Sequence, residues 1–232
     1  MDFADDIEWS ATEVDEVEIP CPGCGKTFEF GAWTLVNAKE NPEAVAKIID
    51  GSICEFTCPH CGYTAHLTHP CLFIDPARRL CIYLVIDNQM KDQAEIMLTD
   101  QENDAAAAST CRIVTNRYDF AEKVLAFTSA LDDRPIELLK FGIRGSLEMQ
   151  GFAEMDEDVE IHLVDLTDDG QLSFSVICGE EYFSADMARG AYGVFANALK
   201  RSSIKDMQPL FVDKEWGEYA LDVIEAEGTM DQ

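Results

Sequence analysis

The sequence predicts an α+β protein in which a zinc-ribbon-like β domain with an inserted helix is followed by an α+β module. Three observations lead to this prediction. Two CPxCG motifs, at residues 21–25 and 58–62, lie between segments in which polar and apolar residues alternate as in strands. Apolar residues spaced three and four apart predict helices between residues 116 and 147. After residue 158 alternating segments return, and a further helical pattern follows them.

The composition is typical of a folded chain, since 47% of the 232 residues are hydrophobic and the length suffices to bury a core. We expect three parts along the sequence. An acidic N-terminal tail covers residues 1–14, the zinc-ribbon domain with its helical extension covers residues 15–149, and the C-terminal α+β module covers residues 150–232.

We expect a cytoplasmic protein that does not contact membranes. No apolar stretch approaches the ~20 residues that a membrane span requires. The first residues lack the basic and apolar regions of a secretory signal. The nine cysteines are an odd number, and Cys81 and Cys178, which lie in apolar segments, are expected to be small buried residues. This usage suits a reducing cytosol.

The two motifs predict a metal site. In each motif a proline fixes one φ angle of the turn, and the glycine after the second cysteine permits a left-handed backbone. Four thiolates from two CxxC pairs complete a tetrahedral shell for one zinc ion. The predicted ligands of this single structural Zn²⁺ are Cys21, Cys24, Cys58 and Cys61.

A redox dithiol is the competing interpretation of the motifs. A CPxC sequence also occurs in thioredoxin-like oxidoreductases, where it begins a helix whose N-terminus favours the thiolate. Here residues 16–19 and 27–30 alternate around the first motif, and residues 53–56 and 63–67 do so around the second. Each motif is therefore expected to connect two strands, which favours the structural zinc site.

An inserted helix explains why 33 residues separate Cys24 from Cys58, more than a minimal zinc ribbon needs. Asn41 and Pro42 predict its start, and Gly51 predicts its end. Its apolar face is expected to comprise Val45, Ile48 and Ile49.

The region after the second motif is expected to form a hairpin and then helices. Residues 67–74 and 80–86 are rich in strand-forming residues, and a polar break separates them. Residues 88–109 are mixed and are expected to contain a short helix. A strand at residues 111–115 leads into two helices, one capped by Asn116 and one that begins near residues 132–135. Their apolar faces are predicted to be Phe120, Val124, Phe127 and Leu131, and then Ile136, Leu139, Ile143 and Leu147.

The final third predicts a hairpin followed by helices. Residues 159–163 and 172–176 alternate around the turn residues 167–170. Ser184 is expected to cap a helix that extends through Leu199. The predicted apolar face of that helix is Met187, Ala191, Val194, Phe195 and Ala198. Residues 209–224 are expected to pack back on the module through Phe211, Trp216, Tyr219 and Val223.

The formal charge of −28 limits the classes of partner that we expect for this chain. Binding to a phosphate backbone requires clustered Lys and Arg, so we expect no direct nucleic-acid binding. The leading hypothesis is a non-catalytic, zinc-stabilised interaction or adaptor protein that acts through protein–protein contacts. If the acidic surface is used, its protein partner presents Lys and Arg. The first alternative is an acidic inhibitor or DNA mimic directed at a nucleic-acid-binding protein.

An enzyme, either thiol-redox or hydrolytic, is the second alternative, and the sequence favours it less. It contains neither a GxxxxGK[ST] phosphate loop nor a GxGxxG turn, and no local motif of a catalytic triad. His66 and His69, with Cys71, are poor candidates for a second metal site because a strand would place the two histidines on opposite faces. The acidic residues 154–169 lack the spacing of a calcium loop. No catalytic residue is assigned.

Five segments together resemble the CpXC family of bacterial proteins. They are CPGCG, FTCPHCGY, CIYLVID, CRIVTN and LDDRPIELLKF. The resemblance covers about residues 15–145 and implies a zinc-ribbon-like β domain. It also implies that Cys21, Cys24, Cys58 and Cys61 are the metal ligands. It implies no particular reaction, and residues 150–232 extend beyond it.

Overall fold

The computed structural model describes residues 11–99, 109–149, 159–179 and 181–228. The chain has an α+β fold, as predicted, and comprises two compact units, Met1–Val124 and Leu125–Gln232. The division falls within a helix. The predicted boundary between residues 149 and 150 therefore lies inside the second unit.

The described residues of the first unit form strands, two complete α-helices, a short 3₁₀ helix (Ser52–Cys54) and the first part of a third α-helix. Its elements are β1 (Glu13–Pro20), β2 (Thr27–Asn37), α1 (Pro42–Ile49), β3 (Glu55–Thr57), β4 (Thr64–His66), β5 (Cys71–Asp75), β6 (Leu80–Leu84), α2 (Asn88–Thr99), β7 (Thr110–Val114) and α3 (Arg117–Thr128). Because β1 begins at Glu13, the last two residues of the predicted tail belong to a strand. Residues 1–10 of that tail lie outside the described residues.

Two sheets organise the first unit. Five strands form a mixed sheet in the order β1-β2-β5-β6-β7. The β1–β2 and β5–β6 pairs are antiparallel, whereas β2–β5 and β6–β7 are parallel. The strands β3 and β4 form a separate antiparallel hairpin. The centre of the large sheet is apolar, and Val36, Phe73 and Ile82 have no exposed surface.

The inserted helix is confirmed as α1. It begins at Pro42 and buries Ala44 and Ile48. Asn41 precedes it as predicted, but it caps the helix through its backbone carbonyl, which accepts the N–H of Ala44 at 3.0 Å. The apolar face is thus rotated slightly from the predicted one, since Val45 and Ile49 are only half-buried.

Side-chain hydrogen bonds stabilise two turns that the sequence predicted. In the β5–β6 hairpin the buried carboxylate of Asp75 accepts the N–H groups of Ala77 and Arg78 at 3.1 and 3.2 Å. It also pairs with the Arg78 guanidinium at 2.5 Å. At the start of α3, Oδ1 of Asn116 accepts the N–H of Asp119 at 2.9 Å, which confirms the predicted cap.

The second unit combines helices with a three-stranded meander. Its elements after α3 are α4 (Asp133–Met149), β8 (Val159–Leu166), β9 (Leu172–Cys178), β10 (Glu181–Met187), α5 (Arg189–Arg201) and α6 (Lys214–Ala226). The strands pair antiparallel in the order β10-β9-β8. The helices share an apolar core of Leu138, Ala198, Leu199, Ile204, Val212, Trp216, Ala220 and Ile224. The predicted hairpin between β8 and β9 is confirmed.

The prediction that Ser184 caps a helix is wrong. Ser184 lies in β10, where it is opposite Ser175 of β9, and α5 begins only at Arg189. Met187 also belongs to the strand, and Val194 on α5 is 50% exposed. Pairing with β9 satisfies the backbone groups of this segment, so a local capping preference does not decide its structure. In the last helix Trp216 is buried as expected, whereas Tyr219 is 48% exposed.

Among the residues that the structure describes, no helix combines the length and the apolar character that crossing a membrane would need.

Candidate metal centre

Each cysteine motif forms the turn of a hairpin, the first between β1 and β2 and the second between β3 and β4. Both turns contain the same backbone hydrogen bond. The N–H of the motif's last glycine donates to the carbonyl oxygen of its first cysteine, at 2.8 Å in the first motif and 2.9 Å in the second. Gly25 and Gly62 adopt φ angles of 70° and 73°, in the left-handed region. The predicted role of these glycines is confirmed.

Aromatic packing brings the two hairpins together. Phe56 of β3 contacts Phe28 and Phe30 of β2, with ring centroids 5.5 and 6.2 Å apart. The whole cluster comprises Phe30, Ala32 and Phe56, with Val17, Ile19, Phe28, Ala65 and Leu67 packed around them. These residues occupy the inner faces of both hairpins. Burial of this apolar surface therefore places the two cysteine turns side by side.

The four cysteine sulfurs of the motifs form one cluster. They all lie within 4.8 Å of one another. The Sγ atoms of Cys21 and Cys61 are 3.6 Å apart, and those of Cys24 and Cys58 are 3.9 Å apart. Each of these short distances joins the two motifs. A tetrahedral shell with Zn–S bonds of about 2.3 Å has S–S edges of about 3.8 Å. The four thiols therefore fit a tetrahedral metal ion and could hold one.

The surroundings of the cysteines differ within each motif. The first cysteines, Cys21 and Cys58, are only 2% and 1% exposed, whereas the second cysteines, Cys24 and Cys61, are exposed. The N–H of Gly23 donates to Sγ of Cys21 at 3.3 Å. One side of the cluster is therefore packed against the protein, and the other faces solvent.

The thiols influence one another's ionisation. Burial disfavours the Cys58 thiolate, but the N–H groups of His60 and Cys61 and the neighbouring thiols lower its pKa to about 6. The N–H of Tyr63 favours the Cys61 thiolate, yet desolvation and hydrogen bonds with the three neighbouring sulfurs raise its pKa to about 12. Negative charge on one sulfur thus opposes charge on the next. A divalent cation would remove this conflict.

The other cysteines are not part of the cluster. Burial raises the pKa of both Cys54 and Cys71, which suits neutral, unreactive thiols. Cys81 lies opposite Cys111 in the β6–β7 pair. Cys81 and Cys178, which were expected to be buried, are both half-buried. All nine cysteines are free.

In the described part of the chain, the histidines lie outside the group of potential metal ligands. His69 is buried, and its Nδ1 and Nε2 lie 3.0 and 3.2 Å from the carbonyl oxygens of Leu67 and Trp33. This ring links the segment after β4 to β2. His66 is exposed and lies 4.0 Å from Glu55. Within the described ranges, no further group of three or more potential ligands comes together.

Tyr63, directly after the second motif, packs on the first. Its ring lies against Gly23, in the turn of the opposite hairpin. The sequence predicted Tyr63 only as part of a strand flank. A glycine inside one motif and an aromatic residue after the other are the signal that could have indicated this contact.

The family comparison agrees with this geometry. The family model described as CpXC protein matches residues 19–140, more than half of the chain, and the match includes both motifs. No curated protein and no solved structure gives a significant match. The matched region extends from the end of β1 into α4. On the extent of this match, the chain belongs to the CpXC family.

Proposed function

We propose that Cys21, Cys24, Cys58 and Cys61 bind one zinc ion and that this ion is structural. The observation that carries the proposal is the set of four sulfurs within 4.8 Å, at distances that suit a tetrahedral thiolate shell. Four protein ligands fill every position of such a shell and leave none for a water molecule or a substrate. Binding would join the two hairpins, and structural zinc contributes on the order of 10–16 kcal/mol in small zinc domains.

The function proposed for the whole protein is non-catalytic binding of a protein partner in the cytosol. A reducing compartment suits nine free cysteines. The binding surface is the outer face of the β1–β2 hairpin, opposite the aromatic cluster. Glu16, Glu18 and Glu29 are exposed there, and they alternate with the inward apolar residues of the same strands.

The arrangement of these carboxylates supports a role in binding. Glu18 lies directly opposite Glu29 in the β1–β2 register. Like charges at such positions reduce the stability of a strand pair. Their presence is therefore better explained by an interaction than by folding. A segment that presents Lys and Arg would relieve the repulsion, and its association would weaken as salt screens the charges.

The metal assignment is tested by elemental analysis of the purified protein. We expect close to one zinc per chain, and none after substitution of two ligand cysteines. A folded protein without metal whose four thiols react freely would contradict the assignment.

The binding surface is tested by affinity capture from a lysate at low and high salt, followed by a direct binding measurement with the purified partner. The test variant is Glu16→Gln with Glu18→Gln and Glu29→Gln. The matched control removes three exposed carboxylates from α6, by Glu215→Gln, Asp222→Asn and Glu225→Gln. We expect the hairpin variant alone to lose the partner. Equal loss in both variants, or binding that salt does not affect, would contradict a specific acidic surface.

The identity of the captured partner separates the proposal from a DNA mimic. In that case the partner would itself bind nucleic acid, and duplex DNA would displace the chain from it.

A further inference from the structure

The second unit contains a cavity of about 370 Å³ next to α5. This volume is at the lower end of the roughly 300–1,000 Å³ typical of small-molecule sites. One wall is apolar and includes Pro135, Ala196 and Leu199. The polar residues of the lining are Asp132, Arg134, Tyr192, Lys200 and Lys205. The cavity lies far along the sequence from the cysteine motifs and is not explained by the proposed function.

The charge of the surrounding segment is unusual for this chain. Residues 187–205 include Arg189, Lys200, Arg201 and Lys205 but no Asp or Glu. Elsewhere acidic residues are frequent, since the chain contains 45 of them against 17 Lys and Arg. The segment therefore forms a basic region on an acidic protein, and a fixed basic region favours an anionic ligand.

Arg134 shapes the cavity, and each of its three guanidinium nitrogens already donates to a protein oxygen. Its guanidinium binds the Asp132 carboxylate, with Nε 3.1 Å from both oxygens and an N–H group 2.7 Å from Oδ2. Its remaining terminal nitrogen donates to the carbonyl oxygens of Lys205 and Met207 at 3.0 and 2.7 Å. These bonds neutralise the only carboxylate of the lining and hold the loop after α5 against the start of α4. Arg134 is thus a positioning residue.

Three other donor groups of the lining, the Tyr192 hydroxyl and the ammonium groups of Lys200 and Lys205, do not donate to another described residue. The phenol oxygen of Tyr192 accepts the N–H of Asp132 at 2.9 Å, which leaves its own O–H proton available. Burial raises the pKa of Tyr192, so the phenol keeps that proton at neutral pH. The ammonium groups of Lys200 and Lys205 have no hydrogen bond or ion pair with any other described residue. Two cations and one neutral donor therefore face a partly apolar space.

We propose that this cavity binds a small organic phosphate ester. Its dianionic phosphate group is bound by Lys200, Lys205 and the Tyr192 hydroxyl, and its organic part packs on Pro135, Ala196 and Leu199. Two ammonium groups match the double charge of a phosphate monoester better than the single charge of a carboxylate. The apolar wall gives an organic ester an advantage over free phosphate.

The proposal is tested by calorimetric titration of the full-length protein with phenyl phosphate and with inorganic phosphate at low ionic strength. We expect phenyl phosphate to bind with a dissociation constant on the order of 1 mM or below, and inorganic phosphate to bind more weakly. Lys200→Ala and Lys205→Ala should each weaken phenyl phosphate binding about tenfold, and Tyr192→Phe should weaken it less. Circular dichroism of each variant verifies folding.

The matched control is Lys214→Ala, which removes an exposed lysine of α6 that does not line the cavity. It should leave binding unchanged. Equal weakening by Lys214→Ala would mean nonspecific attraction and would overturn the site. Absence of phenyl phosphate binding to the wild-type protein would also overturn it. Inorganic phosphate that binds as tightly as phenyl phosphate would overturn the assignment of an organic ligand.

Discussion

Gly23 and Tyr63 are in contact across the two cysteine turns: a Cβ atom at Gly23 would lie 3.1 Å from the Cβ, Cγ and Cδ2 atoms of Tyr63. The two turns therefore touch through carbon atoms as well as through their sulfurs. Gly23 is adjacent to Cys24, and Tyr63 lies two residues after Cys61. We therefore expect a change that separates Gly23 from Tyr63 to shift the sulfurs as well.

A side chain at Gly23 is expected to weaken the metal centre. Gly23→Ala should destabilise the hairpins by about 1 kcal/mol, because the Tyr63 ring must move by a few tenths of an ångström, and Gly23→Val should cost more. The measurement is zinc retention against a competing chelator. Tyr63→Ala in the Gly23→Val background removes the clash and should restore part of the affinity. Additive effects of the two substitutions would contradict direct contact.

Loss of a single ligand is expected to unfold the hairpins. Cys24→Ser or Cys58→Ser should abolish stoichiometric zinc binding and expose β1–β4 and α1 to hydrogen exchange, since structural zinc contributes on the order of 10 kcal/mol. The second unit, Leu125–Gln232, should keep its protection. Cys178→Ser is the control, because Cys178 lies on β9 and outside the cluster. Native thermal stability in both ligand variants would indicate an accessory or redox site.

Two helical glycines are expected to respond in opposite ways to alanine. A Cβ at Gly217 on α6 would lie 2.5 Å from Cε2 of Phe141 on α4, whereas a Cβ at Gly142 meets nothing within 4 Å. Gly142→Ala should stabilise the second unit by about 0.5–1 kcal/mol through helix propensity. Gly217→Ala should destabilise it by about 1–2 kcal/mol, because the cost of overpacking against Phe141 exceeds the gain in helix propensity. Urea unfolding monitored by circular dichroism measures both, and a stabilised Gly217→Ala variant would contradict the contact.

The chain is not expected to bind DNA or RNA at physiological salt. Its formal charge of −28 opposes a phosphate backbone. Arg78, one of two adjacent arginines, is paired with Asp75, so its charge contributes little to attracting a phosphate backbone. Gel-shift experiments with duplex and single-stranded nucleic acid measure this directly. A clear shift that Lys200→Ala and Lys205→Ala remove would show that the basic segment outweighs the total charge.

Local chemistry explains where the sequence predictions succeeded. The proline and glycine positions of the cysteine motifs specify the same turn wherever they occur, so both turns and their four thiols could be predicted. The start of α1 at Pro42 and the cap of α3 at Asn116 likewise depend on residues adjacent to the helix end.

Ser184 illustrates why the remaining features could not be predicted. A serine before a helical pattern is a good local cap, but its backbone pairs with β9, and that pairing depends on residues far from it. The parallel pairs β2–β5 and β6–β7 also join strands that are far apart in the sequence, so local patterns do not predict them. The cavity next to α5 could not be predicted for the same reason, because residues 132–135 reach Tyr192 and Lys205 only in the folded unit.

The sequence by itself determined the four candidate metal ligands, the α+β class, the inserted helix and the acidic character, because turn chemistry, residue periodicity and charge are properties of short segments or of composition. Only the tertiary structure decided that the sulfurs lie within 4.8 Å of one another, which cysteine of each pair is buried, and that Tyr63 packs on Gly23. These features require contacts between residues distant in the sequence. Such contacts arise from the burial of the Phe28, Phe30 and Phe56 surfaces, which no single segment can achieve alone.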